Sequence, residues 1–232
     1  MQSSITSPLG TSLFFATIRP GPTIVIVGGH HGDEPAGFAA AGLLAGYANT
    51  DHGSMIIIPQ ANPLACTMFS RYGGEGESDL NRCYDLREDD HDAKCDGAQH
   101  AAELVRVITA LAPAEQPLVV IDLHETRAGH SVIPAGRSMW CYGANLTAVE
   151  LAAGTGLHAM PLMEPDHTHT FVAAMGRRGA TAIAVETVKS GQLGARIEQQ
   201  IAAVLAIAAS IGVEIEVDIP SVLNRIGEPE AE

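Results

Sequence analysis

The sequence has few aromatic and few basic residues. Aromatic side chains make up 4% of its 232 residues, so the core must be built mainly from Ala, Val, Ile and Leu. The 13 Lys and Arg residues, against 27 Asp and Glu residues, give a formal net charge of -14. Nucleic acids and anionic membranes bind dense basic patches. We therefore expect neither a nucleic-acid partner nor a membrane partner.

The sequence also lacks a targeting segment, a membrane-spanning run and a cysteine motif for metal. Residues 1–7 contain no basic segment followed by an apolar stretch. The longest weakly polar stretch, at 201–213, is too short and too rich in alanine to span a bilayer. The cysteines form no CxxC pair, and they are Cys66, Cys83, Cys95 and Cys141. We expect a cytoplasmic protein with reduced thiols.

Apolar strands alternate with helices along most of the chain. Strand patterns occur at 11–18, 23–27, 54–58, 118–123 and 180–185. Helical patterns occur at 34–47, 99–111, 145–153, 168–178 and 196–211. The turn at 19–22 predicts a hairpin between the first two strands. The alternation predicts an α/β fold in a single domain, 1–219, followed by a loose tail at 220–232. The sheet is expected to be mixed, largely parallel and twisted, with helices on both faces.

The segment GGHHGDE at 28–34 carries the first candidate metal ligands. It follows a buried strand and places His31 and Glu34 three residues apart at the start of a helix. Both side chains can therefore reach one metal ion from a single turn. The three glycines allow a tight turn and a close approach of another backbone segment. His30 is a competing ligand, and a loop histidine beside a helix-capping acid is the simpler alternative.

His124 is the third candidate ligand. It lies in DLHE at 122–125, a polar cluster that ends an apolar strand and is costly to bury unless it is paired or bound to a metal. Asp122 could orient the histidine ring, as carboxylates commonly do for ligating histidines. A hydrogen-bonded histidine without metal is the alternative. Three protein ligands leave the fourth zinc position open for water, which is typical of a catalytic site.

Residues 60–97 form a long, polar, irregular stretch, which is typical of a functional loop. It contains NPLA at 62–65, Arg71 and DLNR at 79–82. Together with GGHHGDE, DLHE and Glu186 at the end of a late strand, these motifs resemble the M14 metallocarboxypeptidase superfamily. That superfamily includes the succinylglutamate desuccinylase/aspartoacylase branch. The resemblance runs from about residue 28 to residue 186, and it implies a zinc-carboxypeptidase-like fold with one Zn²⁺ per chain.

The resemblance also implies roles for the remaining residues. Arg71 would polarise the scissile carbonyl and stabilise the oxyanion. Asn81 and Arg82 would hold a substrate carboxylate, which the planar fork of a guanidinium matches in a bidentate manner. Glu186 would take a proton from the attacking water and deliver it to the leaving amine. Zinc would lower the pKa of that water.

Two features depart from the family pattern. Carboxypeptidases of this superfamily usually carry a tyrosine shortly before the catalytic glutamate, but this sequence has no tyrosine after Tyr142. His167 and His169 lie in the corresponding stretch, where either could supply a donor. Typical aspartoacylases and desuccinylases also carry a C-terminal β-domain that shapes the substrate channel. The sequence ends too soon after Glu186 to contain one, so a more open cleft is expected.

The sequence therefore predicts a zinc-dependent hydrolase that cleaves an amide bond in a small carboxylate-bearing substrate. The substrate would be an N-acyl amino acid or a C-terminal peptide, and the branch resemblance favours a deacylase. A metallocarboxypeptidase or cell-wall peptide amidase is the alternative. A catalytically silent metal-binding or ligand-binding protein on the same scaffold is a further one.

Overall fold

The computed structural model describes residues 3–6, 13–74, 78–86, 95–113, 115–162 and 167–217. The predicted tail at 220–232 lies outside these residues, so the predicted domain end at 219 stays a prediction. Among the described helices, none combines the length and the apolar character that crossing a bilayer requires.

The strands and helices alternate as predicted. The described strands are β1 (Ser3–Thr6), β2 (Leu13–Thr17), β3 (Thr23–Gly28), β4 (Ala48–Thr50), β5 (Ser54–Ile58), β6 (Leu118–Arg127), β7 (Met139–Gly143), β8 (Ala159–Pro161), β9 (Thr181–Lys189) and β10 (Ile215–Val217). The described α-helices are α1 (Pro35–Tyr47), α2 (Pro63–Met68), α3 (Ala98–Leu111), α4 (Leu146–Gly154), α5 (Phe171–Arg177) and α6 (Leu193–Ser210). A short 3-10 helix covers Leu80–Arg82.

The main sheet has eight strands in the order β1-β2-β5-β3-β6-β9-β7-β8, and β4 pairs separately with β10. Strands β5, β3, β6 and β9 at its centre are mutually parallel. The outer strands β1 and β2 run antiparallel to their neighbours, and so does β7 against β9. The predicted α/β fold with a mixed, largely parallel sheet is confirmed.

The predicted hairpin between the strands at 11–18 and 23–27 is wrong. Strand β5 lies between β2 and β3, antiparallel to the first and parallel to the second. The Ser54 hydroxyl at the start of β5 holds the connecting segment, since it accepts from the Arg19 N–H (2.9 Å) and donates to the Arg19 carbonyl (2.8 Å). Strand β5 is buried along its whole length, so its backbone groups need partners on both edges.

Each face of the sheet covers a separate apolar core. Along β3, Ile24 and Ile26 pack with α1, α4 and α6, whereas Val25 and Val27 pack on the other face with α3 and α5. Successive side chains of a strand point to opposite faces, so a strand covered on both sides must be apolar throughout. The helices therefore lie on both faces, as the apolar runs predicted.

Strands β6 and β9 extend further than the sequence predicted. Their pairing continues past His124 and Glu186 as far as Arg127 and Lys189. The prediction ended both strands where polar residues begin. The polar side chains beyond these points reach a cavity at the edge of the sheet. They therefore do not disturb the backbone hydrogen bonds, and the pairing of the two strands continues.

The expectation of reduced thiols is wrong for one pair of cysteines. Cys83 and Cys95 form a disulfide with Cα atoms 5.7 Å apart, and it links the end of the 3-10 helix to the residues before α3. Cys66 and Cys141 are free and buried, and burial raises the pKa of each thiol to about 12. The cytoplasmic location stays a prediction.

Candidate active site

A cavity of about 290 Å³ opens at the carboxyl ends of β6 and β9. Parallel strands bring their carboxyl ends to one edge of the sheet, where α/β proteins commonly bind ligands. All seven residues that the sequence predicted for the site line this cavity; they are His31, Glu34, Arg71, Asn81, Arg82, His124 and Glu186.

His31, Glu34 and His124 converge on one point. The Glu34 carboxylate lies between the two rings, with Oε1 2.8 Å from His31 Nδ1 and Oε2 2.9 Å from His124 Nδ1. All three residues are buried, and one ligand atom from each lies within 4.8 Å of the others. Two imidazole nitrogens and a carboxylate are donors of the type and number that a catalytic zinc uses.

The outer nitrogen of each histidine is held by an aspartate. His31 Nε2 lies 3.0 Å from Asp79 Oδ1, and His124 Nε2 lies 2.7 Å from Asp122 Oδ2. Burial alone would raise the pKa of both aspartates, but the histidines outweigh it and hold each pKa well below its usual range. Both carboxylates are therefore ionised acceptors. Each can keep the proton of its histidine on Nε2, which leaves Nδ1 available for a metal.

Local geometry at the first motif explains its glycines. Gly29 adopts a positive φ of 71° at the end of β3. A Cβ on Gly32 would overlap the carbonyl of Ala65, and the Gly32 N–H donates to Ser70 at 2.9 Å. The close approach of a second backbone segment, predicted from the glycines, is confirmed. It brings the loop after α2 against the ligand-bearing turn.

Glu186 faces the cavity from β9, opposite His124 in the strand register. Its Oε2 accepts a hydrogen bond from the Thr126 hydroxyl at 2.7 Å. Burial, with a smaller contribution from the nearby charge of Glu34, raises the pKa of this carboxyl to about 7 against the opposing effect of His124. A carboxylate with a pKa near neutrality suits a general base.

Arg71 lies beside the ligand group. Its Nε and Nη2 donate to Asp79 Oδ2 at 3.1 and 2.7 Å, which fixes the plane of the guanidinium. Its Nη1 lies 3.5 Å from Glu34 Oε1 and 3.5 Å from His31 Nδ1. Nη1 of this cation is therefore directed at the candidate ligand group.

Asn81 and Arg82 lie on the 3-10 helix at the cavity wall. The Asn81 side-chain oxygen accepts from the Phe171 N–H at 2.8 Å, and its nitrogen lies 3.2 Å from His124 Nε2. Arg82 Nη1 donates to the Asn81 carbonyl at 2.8 Å. Both polar ends of the buried Asn81 therefore contact the protein. Substrate binding by these two residues stays a prediction.

A sequence model of the succinylglutamate desuccinylase/aspartoacylase catalytic domain matches residues 20–211. The chain belongs to this family. Its similarity to a curated member, the N-alpha-acetyl-L-2,4-diaminobutyric acid deacetylase of Halomonas elongata, is 29% identity over 171 residues. The aligned region covers 72% of this chain and 47% of that relative. The chain therefore spans about half the length of the deacetylase.

Solved structures of low identity share the family fold. The product-bound ectoine utilization protein EutE (DoeB) from Ruegeria pomeroyi superposes with a TM-score of 0.65 at 18% identity, covering 87% of this chain and 61% of its own. The apo cell shape determinant protein Csd4 from Helicobacter pylori has a TM-score of 0.72 at 15% identity. The superposition covers 93% of this chain and 59% of Csd4. At such identities the likeness shows the fold alone.

His167 and His169 lie in the stretch where carboxypeptidases of the superfamily usually carry a tyrosine. His167 lines the cavity, and its ring stacks on Tyr142 with centroids 6.2 Å apart. His169 is directed elsewhere, because its Nδ1 donates to the Tyr84 carbonyl at 3.0 Å. Tyr142 reaches the same cavity from β7, which pairs with the strand of Glu186. Of the two histidines proposed as donors, only His167 faces the site.

Several residues in or near the cavity were not predicted from the sequence. Thr126 carried a usable signal, since it lies two residues after His124 and must point to the same face of β6. Tyr84 and Tyr142 carried none, because neither follows a predicted strand end or belongs to a recognised motif. Lys189 also lines the cavity and donates to Asp33 at 3.0 Å.

Proposed function

We propose that the protein is a zinc-dependent hydrolase that cleaves the amide bond of a small carboxylate-bearing substrate. One observation carries the proposal: His31, Glu34 and His124 converge beside Glu186 in a single cavity. A ligand-binding protein needs the convergent donors but has no need of a poised carboxylate next to them. Family membership supports the same reaction class.

Three side chains would hold the metal, and they are His31, Glu34 and His124. The donor set fits Zn²⁺ in charge and number, and Asp79 and Asp122 orient the two rings as partners of ligating histidines do. When bound, the ion would lower the pKa of a water and polarise the substrate carbonyl.

Glu186 is the proton carrier in this proposal. Its Oε2 is occupied by the Thr126 hydroxyl, so Oε1 is the atom that takes the proton from the attacking water. The same atom returns that proton to the amide nitrogen as the bond to the acyl carbon breaks, which makes the amine a good leaving group. The hydroxyl bond holds the carboxylate in one orientation through both transfers.

Two arginines would act on the substrate in different ways. Arg71, anchored on Asp79, donates from Nη1 to the carbonyl oxygen as negative charge develops there. Arg82 also lines the cavity and is assigned to the substrate carboxylate together with Asn81. An anionic substrate is attracted by these cations although the chain as a whole is acidic.

We propose an N-acyl amino acid as the substrate and a peptide with a free carboxylate as the alternative. The curated relative is named a deacetylase of an acylated amino acid, which supports the first class. A tripeptide-bound Csd4 structure, with a TM-score of 0.69 at 16% identity, is the reason to keep the second. Both classes present an amide bond close to a carboxylate.

A substrate panel tests the proposal. The Zn²⁺-loaded wild type, Glu186→Gln and Glu198→Gln are assayed on N-acetyl and N-succinyl amino acids and on di- and tripeptides. Glu198 lies on the exposed side of α6 and is the matched control. We expect turnover of acyl amino acids by the wild type and the control, and loss by about 100-fold or more in Glu186→Gln, the range for a general base. Turnover of peptides alone would favour the amidase. Tight binding without turnover would favour a silent binding protein and contradict the proposal.

A further inference from the structure

His30 is a fully buried histidine that the proposed reaction does not use. Its Nδ1 lies 2.8 Å from Asp122 Oδ1, and its Nε2 lies 2.7 Å from the Tyr84 hydroxyl. The His30 ring stacks on the His124 ring, with centroids 5.9 Å apart. It is tilted against the Phe171 ring, with centroids 5.1 Å apart. A polar ring so enclosed is costly unless both nitrogens are hydrogen-bonded, and here both are.

The acceptor-only carboxylate of Asp122 sets the direction of its two hydrogen bonds. The Asp122 carboxylate can only accept, so His30 Nδ1 donates to Oδ1 and His124 Nε2 donates to Oδ2. On the other side of the ring, Nε2 pairs with the Tyr84 hydroxyl, which can donate to it. The series runs from Tyr84 through His30 and Asp122 to His124. It ends at His124 Nδ1, the nitrogen that lies 2.9 Å from Glu34 Oε2.

We propose that Tyr84, His30 and Asp122 form a positioning network that holds the ring of His124 with Nδ1 available to the metal. The inference rests on the metal site of the proposed function. Of these three residues only Asp122 hydrogen-bonds to His124, and a carboxylate held through a single oxygen could still rotate. His30 binds the other oxygen, and Tyr84 fixes the ring of His30.

Tyr84 is itself held firmly. Its N–H donates to the His169 carbonyl at 3.2 Å, and its carbonyl accepts from His169 Nδ1 at 3.0 Å. It follows Cys83, whose disulfide to Cys95 links the segment to the start of α3. The phenol therefore comes from an anchored backbone, which lets it act as the fixed end of the network.

The same atoms could be read as a second metal site, since His30, Asp122 and His124 also place ligand atoms within 4.8 Å of one another. The geometry favours positioning instead. Both nitrogens of His30 and both oxygens of Asp122 already have partners at 2.7 to 2.8 Å. His30 and Asp122 have no solvent exposure, so an ion would have to displace every one of these bonds.

Single-atom and matched substitutions test the network. Tyr84→Phe removes only the hydroxyl, and Tyr47→Phe on the exposed part of α1 is its control. His30→Leu, of similar volume, removes both hydrogen bonds, whereas the smaller His30→Asn keeps an amide that can donate to Asp122. The Zn²⁺ dissociation constant is measured by chelator competition, with metal stoichiometry and the visible spectrum of the Co²⁺-loaded protein. Thermal midpoints of the metal-free variants report folding.

We expect His30→Leu to weaken Zn²⁺ binding by about 10-fold, the lower end of what loss of an outer partner of a ligating histidine costs. The Zn²⁺ dissociation constants of Tyr84→Phe and His30→Asn should lie between those of His30→Leu and the wild type. The Co²⁺ spectrum should change most in His30→Leu and less in the other two variants. In the His30→Leu background, Tyr84→Phe should add nothing, because the series is already broken.

Several outcomes would overturn the network. If the His30 and Tyr84 variants fold and bind Zn²⁺ as tightly as Tyr47→Phe does, the proposed network is contradicted. The proposed hydrolase function would not be affected by that result. Additive effects of the two substitutions would show that the residues act separately. Two Zn²⁺ per wild-type chain, one of them lost in His30→Leu, would make His30 a ligand. A wild type that binds no Zn²⁺ would overturn the metal site and the network together.

Discussion

His124 and Glu186 are register partners on the parallel strands β6 and β9, and both side chains reach the same cavity. The first belongs to the three-residue ligand group, and the second is the proposed base. Their separation is set by backbone hydrogen bonds at the centre of the sheet, and no mobile loop intervenes. A site built on packed strands keeps its geometry better than one built on loops.

The raised pKa of Glu186 predicts the acidic side of the pH profile. Burial raises this pKa to about 7, and a general base must be ionised. We therefore expect kcat/KM to increase as the pH rises through about 7. The Thr126 hydroxyl favours the ionised carboxylate, so Thr126→Val should shift the acidic limb to higher pH. Thr109→Val on α3 is the control, and an acidic limb at the same pH in both variants would contradict this role.

Removal of His124 should remove the metal. Its Nδ1 is one of three convergent ligand atoms, and two remaining ligands bind zinc far more weakly. We expect His124→Ala purified with Zn²⁺ to contain much less than one metal per chain by elemental analysis. His52→Ala, an exposed histidine outside the site, should retain it. Full zinc retention in His124→Ala would refute the ligand assignment.

The two arginines should separate in their kinetic effects. Arg71, beside Glu34, acts on the developing oxyanion, so Arg71→Ala should lower kcat by about 100-fold with a smaller effect on KM. Arg82→Ala should mainly raise KM for substrates that keep their carboxylate and leave the KM of the corresponding carboxamides unchanged. Arg106→Ala on the exposed face of α3 is the control. A lower kcat in Arg82→Ala and a higher KM in Arg71→Ala would contradict these assignments and exchange the two roles.

The Cys83–Cys95 disulfide should stabilise the fold. It links segments 12 residues apart in sequence, and closing a loop of this size contributes about 3 kcal/mol in the chain-entropy description. Reduction should therefore lower the free energy of unfolding measured in urea. The Cys83→Ser/Cys95→Ser double variant should unfold identically with and without reductant. Four titratable thiols in the unfolded, unreduced wild type would show that the disulfide is absent.

The fold and the convergence of the candidate ligand residues could be predicted because they depend on local patterns. Apolar runs such as 23–27 and 118–123 indicate strands buried on both faces, and such strands between helices imply a parallel sheet. The carboxyl ends of these strands meet at one edge. His31, His124 and Glu186 each follow such a run, so their convergence was predictable without any knowledge of distances.

Only the tertiary structure decided the contacts between segments that carry no such pattern. The sequence could not show that β5 separates β2 from β3, because the choice of neighbour depends on which edges remain unpaired across the whole sheet. It could not pair Cys83 with Cys95, since their spacing matches no motif. It left His30 as a competing ligand. Tyr84, 54 residues away, lies 2.7 Å from the second ring nitrogen of His30, and hydrogen bonds over such separations exist only once the chain is folded.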